Sequence, residues 1–375
     1  MTARCIAVLT LCWIGVEPGY ADAVDRDAAQ WVLSVGGRVA IYGDPNVIRS
    51  VPALPDGDFR LETVDLLGTL IEPGDLVHLS KLRRLKSLVL PGPMWNPVAG
   101  DKRDGSIDLG HLRENTSLEK FQLGHTFNEQ INISDPGLAR LAPLENLIEL
   151  RLKLTKVTGT TLTPFRKLRR LDLTHTQTNN AGLLAVSSLH ELETLYLSET
   201  KITDEGLKHL RALSQLAVLE LDSTAIGDDG LAQLAGMRSL RRLSVLGADV
   251  TDSGLSHLAG LKELEELNVY RTKVTNAGLA HLTGLTKLRE IDLRYTRANE
   301  SGAAALKAAL PKCQIILTAS SDRPRSRPVS QPPAGASPSV VAQWIGKLGG
   351  AVSEVEINLA GGAVRDNDIA HLGSL

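Results

Sequence analysis

Residues 195–218, LYLSETKITDEGLKHLRALSQLAV, set the architecture of this 375-residue chain, because their apolar pattern recurs every 24 residues. When the first leucine of this unit is counted as position 0, apolar residues stand at positions 2, 7, 12, 15, 18 and 21. The first residues of six successive units lie 24 residues apart: Leu171, Leu195, Leu219, Leu243, Leu267 and Ile291. A fixed period of this length predicts a solenoid, in which each unit buries the apolar face of the next.

Within each unit, the spacing predicts a short strand, a turn and a short helix. Apolar residues at positions 0 and 2 fit a strand with position 1 facing outward, and leucines at positions 12 and 15 fit the inner stripe of a helix. A threonine hydroxyl at position 5 is expected to bond the turning backbone. It belongs to Thr155, Thr176, Thr200, Thr224, Thr272 and Thr296, with Ala248 as the exception. The acidic residue at position 9 (Asp204, Asp228 and Asp252) is expected to cap the helix.

The array is expected to run from about Val39 to Leu317 as one solenoid, with two units enlarged by insertions. The step from Leu88 to Phe121 has nine extra residues, and the step from Phe121 to Leu150 has five. Both insertions fall between the strand and the helix of consecutive units. They are therefore expected to project side by side from one edge of the array.

The two enlarged loops, residues 91–107 and 124–134, form a candidate binding edge. Trp95 is an apolar residue where polar residues are usual, and together with Phe127 it is expected to anchor a ligand. The alternative is that Trp95 folds back and covers the underside of its own loop. The sequence leaves both interpretations of Trp95 open.

Distinct segments flank the repeats. Residues 27–37 end in Gly-Gly and are predicted to form an amphipathic helix that caps an array spanning residues 27–317. Residues 318–338 are rich in proline and serine and predict a linker. Residues 339–375 repeat the tryptophan and the Gly-Gly of the cap and begin a second, truncated array. Because this array stops within its first unit, we expect the chain to be a fragment or a truncated gene product.

The N-terminus has the pattern of an export signal. Arg4 precedes a 12-residue apolar stretch from Cys5 to Val16, and Ala21-Asp22-Ala23 resembles a cleavage site, so residues 1–23 predict a signal peptide. The stretch is shorter than the roughly 20 residues that span a bilayer. The alternatives are an ordinary buried N-terminal element or lipidation at Cys12, which the bulky Leu11 disfavours. We expect a secreted, periplasmic or cell-surface protein with no stable membrane insertion after signal cleavage.

Composition and histidine placement argue against several classes of function. A net charge of −2 and the absence of a long basic block argue against nucleic-acid binding. Four histidines at position 14 align on the outer helix side without a third converging ligand, so neither a metal nor a cofactor is expected. They are His78, His209, His257 and His281. His125 and His175 stand at position 4 on the strand side, where a binding role is more credible.

The run from Leu189 to Leu207, with leucines followed by Thr-x-Ile-Thr-Asp-x-Gly-Leu, resembles the leucine-rich repeat. Its Gly-Leu-x-x-Leu form is similar to repeats of bacterial and F-box-associated proteins. The resemblance covers about residues 39–317 and the tail, although threonine replaces the asparagine or cysteine common at position 5. It implies an α/β fold, a right-handed horseshoe with short parallel strands on the concave side and short helices on the convex side. It also implies binding rather than catalysis.

The concave face is the main candidate site, and it collects positions 1, 3 and 4 of each unit. The candidate ligand-binding residues are Arg151, Asp172, Tyr196, Glu220, Asp222, Asn268, Tyr270, Asp292 and Arg294. Tyrosine and arginine are favoured at interfaces, which supports recognition of a protein or peptide; the alternative is a solvated sheet face. The carboxylates of Asp172, Glu220 and Asp222 lack a matched acid and base in a pocket, so no catalysis is expected.

These features favour an exported, non-catalytic interaction module that binds a protein or peptide on the concave face and the adjacent loop edge. One alternative is the substrate-recognition adaptor of a ubiquitin-ligase-like complex. No F-box-like helical segment precedes residue 27, and export would prevent that role. Another alternative is the recognition arm of a larger enzyme or receptor whose remainder lies beyond residue 375.

Overall fold

The computed structural model describes residues 18–96, 105–124 and 130–317, together with two short strands at 351–352 and 357–358. The chain divides into two compact units, Met1–Leu317 and Thr318–Leu375. Residues 1–17 of the expected signal peptide and the expected linker at 318–338 lie outside the described residues.

The N-terminal unit opens with helix α1, Pro18–Ser34, which starts nine residues before the predicted cap. The helix ends where Gly36 adopts a left-handed φ of +85° and the Gly37 N–H donates to the Val32 carbonyl at 2.8 Å. Ala29 and Val32 are fully buried on its inner face. The Trp31 ring stacks on His78, with ring centroids 4.8 Å apart. Helix α1 therefore covers the apolar face of the first repeat, which would otherwise be open.

The core of this unit is one sheet of 13 strands. The strands are β1 Arg38–Ile41, β2 Val47–Ile48, β3 Leu61–Asp65, β4 Ser87–Pro91, β5 Lys120–Gly124, β6 Glu149–Arg151, β7 Arg170–Asp172, β8 Thr194–Tyr196, β9 Val218–Glu220, β10 Arg242–Ser244, β11 Glu266–Asn268, β12 Glu290–Asp292 and β13 Gln314–Ile316. Strand β1 pairs antiparallel with β2 and β3. From β3 to β13 all strands are parallel and follow chain order, so each repeat adds one layer beside the last and the predicted solenoid is confirmed.

The strand register follows the predicted unit starts through both regular and irregular steps. Leu195 pairs with Leu219 across a regular step. Phe121 pairs with Leu88 on one side and Leu150 on the other, although these steps differ in length. The insertions therefore do not shift the strand register. Residues 97–104 and 125–129 of the two enlarged loops lie outside the described residues.

Short helices pack behind the strands. They are α2 Asp135–Leu138, α3 Asn180–Val186, α4 Asp204–Leu207, α5 Asp228–Leu234, α6 Asp252–Leu258, α7 Asn276–Ala280 and α8 Glu300–Ala309. Turns of 3-10 helix, such as Pro73–Leu79 and Gly105–Leu112, take their place in the earlier layers. The leucines at positions 12 and 15, for example Leu207 and Leu210, are fully buried between helices and sheet. This apolar stack is the core of the solenoid.

The acidic residue at position 9 has a different partner from the one predicted. It is the first residue of the helix, and the residue before it is the N-cap. Its carboxylate reaches the next layer: Asp228 Oδ1 accepts the Thr251 N–H at 2.8 Å, and Asp252 Oδ1 accepts the Thr275 N–H at 2.7 Å. The carboxylate therefore joins consecutive layers, while its charge still favours the helix N-terminus.

We call these hydrogen bonds between the position 9 carboxylates and the next layer the carboxylate ladder. A glycine at position 11 makes room for it. A Cβ added at Gly254 would overlap Asp228 Oδ1, and one added at Gly278 would overlap Asp252 Oδ1. The Asp-x-Gly-Leu motif is thus explained by contact between layers. The side chain of position 9 in one layer occupies the space that a side chain at position 11 of the next layer would need.

The threonines at position 5 act as predicted. Thr200 Oγ1 donates to the Leu197 carbonyl at 2.6 Å, and Thr272 Oγ1 donates to the Val269 carbonyl at 2.7 Å. The residue before each of these threonines has a positive φ, from Leu154 in the first of these layers to Tyr295 in the last. This conformation costs non-glycine residues about 1–2 kcal/mol each. From Leu154 to Arg271, the amide N–H of this residue donates to a carbonyl of the next layer, and this hydrogen bond offsets part of that cost.

The second unit contains one described element, a hairpin of β14 Ala351–Val352 and β15 Ile357–Asn358. Its antiparallel pairing follows Gly349-Gly350, just as the antiparallel pairing of β1 with β3 follows Gly36-Gly37. The likeness of the two segments noted in the sequence therefore extends to their strand pairing. Residues 359–375 lie outside the described residues.

Candidate ligand-binding face

The residues at position 1 form a continuous row across seven strands. Each is in register with the next. The row is Arg151, Asp172, Tyr196, Glu220, Ser244, Asn268 and Asp292. Parallel strands lie about 4.8 Å apart, so side chains of adjacent layers are close enough to act on one ligand. The row belongs to the concave face of the solenoid.

A second row on the same face was missed by the sequence analysis. It consists of the residues one place before position 0: Glu149, Arg170, Thr194, Val218, Arg242, Glu266 and Glu290. Side chains alternate between the two faces of a strand, so positions −1 and 1 share a face. Extending the alternation one residue backward would have found this row.

The first half of the face is electrostatically balanced. Arg151 Nε donates to Glu149 Oε1 at 2.6 Å, and Arg170 Nη1 lies 4.0 Å from the same oxygen. Asp172 Oδ1 accepts the Thr174 N–H at 3.0 Å. On strands β6 and β7, the charged groups therefore satisfy one another or the local backbone.

The second half of the face is an acidic depression of about 350 Å³ over β9–β12. Its lining consists of Glu220, Asp222, Arg242, Leu243, Ser244, Glu266, Leu267, Asn268, Glu290 and Asp292. Arg242 Nη2 donates to Glu266 Oε1 at 2.9 Å, and the Ser244 hydroxyl donates to Asp222. Within the described part of the chain, Glu220 and Glu290 make no ion pair. Carboxylates thus outnumber cations in this depression.

Glu220 is influenced by two other carboxylates of the concave face. Burial raises the pKa of the Glu220 carboxyl, and the carboxylates of Asp222 and Asp172 raise it further, while the Arg242 guanidinium opposes them. The negative charge of Glu220 is therefore under-compensated in the free protein.

Aromatic side chains border the acidic depression. The rings of Tyr270 and Tyr295 meet edge to face with centroids 5.0 Å apart, and Arg294 Cζ lies 5.3 Å from the Tyr270 ring centroid. Arg294 also donates to both oxygens of Asp292, with Nη2 2.6 Å from Oδ2 and Nε 3.0 Å from Oδ1. We call Tyr270, Arg294 and Tyr295 the aromatic ledge. Tyr295 is 62% exposed.

A family model described as a leucine-rich repeat region matches residues 153–375, which is more than half of the chain. The chain belongs to the leucine-rich repeat family. No curated protein matches the sequence.

Solved leucine-rich repeat structures resemble this chain at low sequence identity. An internalin (inlF) from Listeria monocytogenes is 22% identical, with a TM-score of 0.50, over 64% of this chain and 69% of its own. Internalin C2 from the same organism is 28% identical, with a TM-score of 0.44, over 57% of this chain and 84% of its own. The ectodomain of the Arabidopsis thaliana receptor kinase GASSHO1/SCHENGEN3, solved in complex with CASPARIAN STRIP INTEGRITY FACTOR 2, is 17% identical. Its TM-score is 0.43, over 69% of this chain and 30% of its own.

The loop edge of this leucine-rich repeat protein does not present Trp95 as the exposed anchor that one interpretation of the sequence predicts. Trp95 is only 2% exposed and belongs to the core, in agreement with the interpretation in which it folds back. Its ring lies in the interior and is not at the surface for a ligand. Beside it, Leu67, Leu70 and Met94 help to line an apolar hollow of about 380 Å³. Phe127 and His125 lie outside the described residues.

Several of the remaining predicted residues have local partners. Asn268 Oδ1 accepts the Tyr270 N–H at 3.0 Å, and His175 Nε2 lies 2.8 Å from Glu199 Oε1. On the helix side, His78 stacks on Trp31. Within the described ranges, no group of three or more His, Cys, Asp or Glu side chains is placed to hold a metal ion.

None of the described helices has the length and apolar content that a membrane span requires.

Proposed function

We propose that this leucine-rich repeat protein is a non-catalytic interaction module that holds a protein or peptide ligand on its concave face. The observation that supports this most is the pairing of two in-register rows, at positions −1 and 1, on one face of the sheet. Together with the aromatic ledge, they form a continuous surface of polar and aromatic side chains. Tyrosine and arginine are the residue types that most often dominate binding energy at interfaces.

The dimensions of this face suit an extended ligand. Six strand spacings of about 4.8 Å separate β6 from β12, which is roughly 29 Å. An extended peptide of about nine residues covers that distance. The depression over β9–β12 is partly open to solvent, which fits surface recognition better than the enclosure of a small substrate.

The loop edge provides a proposed second contact beside the concave face. Leu70 is fully exposed and Leu67 is partly exposed at the apolar hollow. Phe127 remains a proposed ligand contact by its place in the second insertion. Trp95 is omitted because it is buried.

Export is the third part of the proposal, and it rests on the sequence of residues 1–23. The described buried residues of α1 begin at Asp25, whose Oδ1 accepts the Leu61 N–H at 2.7 Å. Cleavage after Ala23 would therefore leave these core contacts in place. Expression in a secreting host should yield a mature protein that begins at Val24. Recovery of the intact N-terminus from the secreted fraction would contradict signal cleavage.

The binding proposal can be tested by selecting random displayed peptides on the full chain. Peptides that bind should lose affinity by about tenfold or more for a Tyr196→Ala/Tyr270→Ala variant, because each truncation removes an aromatic contact. The matched control is Leu184→Ala, which removes an exposed apolar side chain (57% exposed) on helix α3. Equal affinity for the double variant, or loss with the control, contradicts binding on the concave face.

A further inference from the structure

We propose that the concave face over β9–β12 recognises a cationic peptide segment, with arginine or lysine side chains directed at the acidic depression. This inference rests on the proposed function and specifies the chemistry of the ligand. Within the described residues, no other element packs over this stretch of the sheet face. Its depression is lined by five carboxylates and one guanidinium. A cationic segment is therefore the partner with complementary charge.

Three of the five carboxylates in the depression lack an ion-pair cation within the described residues, and one of them, Asp222, accepts hydrogen bonds from the Ser244 hydroxyl and the Leu246 N–H instead. The other two define where the ligand charge is needed. Glu266 is already matched by Arg242, and Asp292 by Arg294. Glu220 on β9 and Glu290 on β12 have no such cation within the described residues. Three strand spacings, roughly 14 Å, separate these strands. Two basic side chains separated by about four extended residues span this distance.

The arrangement around Glu220 favours a ligand cation over a neutral group. Its pKa is raised by burial and by the carboxylates of Asp222 and Asp172, so these negative charges repel one another in the free protein. A cation bound among them relieves that repulsion and adds direct attraction. An acidic ligand would increase the repulsion.

The chain itself shows how this face accommodates a guanidinium. Arg294 is held by both oxygens of Asp292, while its Cζ lies 5.3 Å from the Tyr270 ring centroid. Arg242 contacts the carboxylate of Glu266 through Nε at 2.5 Å and Nη2 at 2.9 Å. Tyr295, exposed beside Tyr270, offers a further aromatic surface for a ligand cation.

The charge difference between the two halves of the face sets the direction in which the ligand lies. On β6 and β7, the charges of Arg151 and Arg170 are balanced by those of Glu149 and Asp172, so this part has no comparable demand for a cation. The basic part of the ligand should therefore lie over β9–β12. Its neutral or mixed-charge part should lie over β6–β8.

The test uses the full chain and labelled probe peptides in which arginine or glutamate alternates with glycine. Fluorescence anisotropy at low salt should show binding of the arginine peptide, weakening as salt is added, and much weaker binding of the glutamate peptide. A Glu220→Gln/Glu290→Gln variant should bind the arginine peptide about tenfold more weakly. The matched control, Glu205→Gln/Asp229→Asn, removes the same charge from helices α4 and α5 and should change affinity less than about twofold.

Equal effects of the two variants, or failure of the arginine peptide to bind, would overturn the inference. If selected peptides without basic residues depend on Tyr196 and Tyr270 but not on Glu220 and Glu290, the proposed function stands and the preference for a cationic ligand fails. If no selected peptide depends on any of these side chains, both proposals fail.

Discussion

Several carboxylates on the helix side differ in their partners from two carboxylates on the strand side. On the helix side, Asp228 and Asp252 each accept two hydrogen bonds from the threonine of the next layer, so their charge joins the layers. On the strand side, Glu220 and Glu290 have no ion-pair partner within the described residues. The helix-side carboxylates therefore stabilise the stacking of layers, whereas these two strand-side carboxylates are available to the proposed ligand.

The largest expected effect concerns the interior. Trp95→Ala should lower the free energy of unfolding by about 3–5 kcal/mol, because it removes a large side chain that is 2% exposed. Urea denaturation followed by circular dichroism measures this loss. Peptide affinity of the folded fraction should remain unchanged, since the ring is not at the surface. A variant with wild-type stability but weaker peptide binding would indicate that Trp95 contacts the ligand at the loop edge.

The carboxylate ladder gives the next largest effect. Gly254→Ala places a Cβ against Asp228 Oδ1 and should destabilise the protein by about 1–3 kcal/mol. Gly236→Ala is the matched control in the preceding layer, because its Cβ would meet nothing within 4 Å. Urea midpoints of both variants measure the difference. Equal stability of the two variants would show that the ladder does not require glycine.

The sequence predicted the strand register well and the contacts between layers poorly, for a physical reason. Apolar residues that stack on themselves every 24 residues reveal their own register, as Leu195 and Leu219 do. The partner of Asp228 is Thr251, 23 residues later. The period was identified from apolar residues, so a contact between two polar residues this far apart could not be predicted from it. Local capping was therefore the available interpretation.

The candidate site was predicted in part. Position 1 follows directly from strand alternation, whereas Arg242, Glu266 and Glu290 precede the residue from which the units were counted. The exposure of the Trp95 side chain could not be predicted, because an inserted loop has no repeat pattern that indicates which way its side chains face. The sequence also could not show that Arg294 lies over Tyr270, since this depends on side-chain conformation.

The smallest expected effect concerns the strand side and depends on pH. The folded-state pKa of Glu220 is raised, so the folded protein binds its proton more tightly than the unfolded chain does, and ionisation destabilises the fold. Glu220→Gln should thus match or slightly exceed the wild type in stability at neutral pH, by under about 0.5 kcal/mol. This difference should vanish below about pH 4, near the unfolded value for glutamate. Urea midpoints across this range measure it. A clear loss of stability at neutral pH would give Glu220 a structural role.

Site-specific photo-crosslinking tests most directly whether the strand side is the binding side. Val218 lies on the concave face in β9, and Leu184 is exposed on helix α3. A benzophenone amino acid at each position, combined with a selected peptide, compares the two sides in otherwise identical proteins. Crosslinking from position 218 and none from position 184 is the predicted result. Crosslinking from position 184 alone would contradict binding on the concave face.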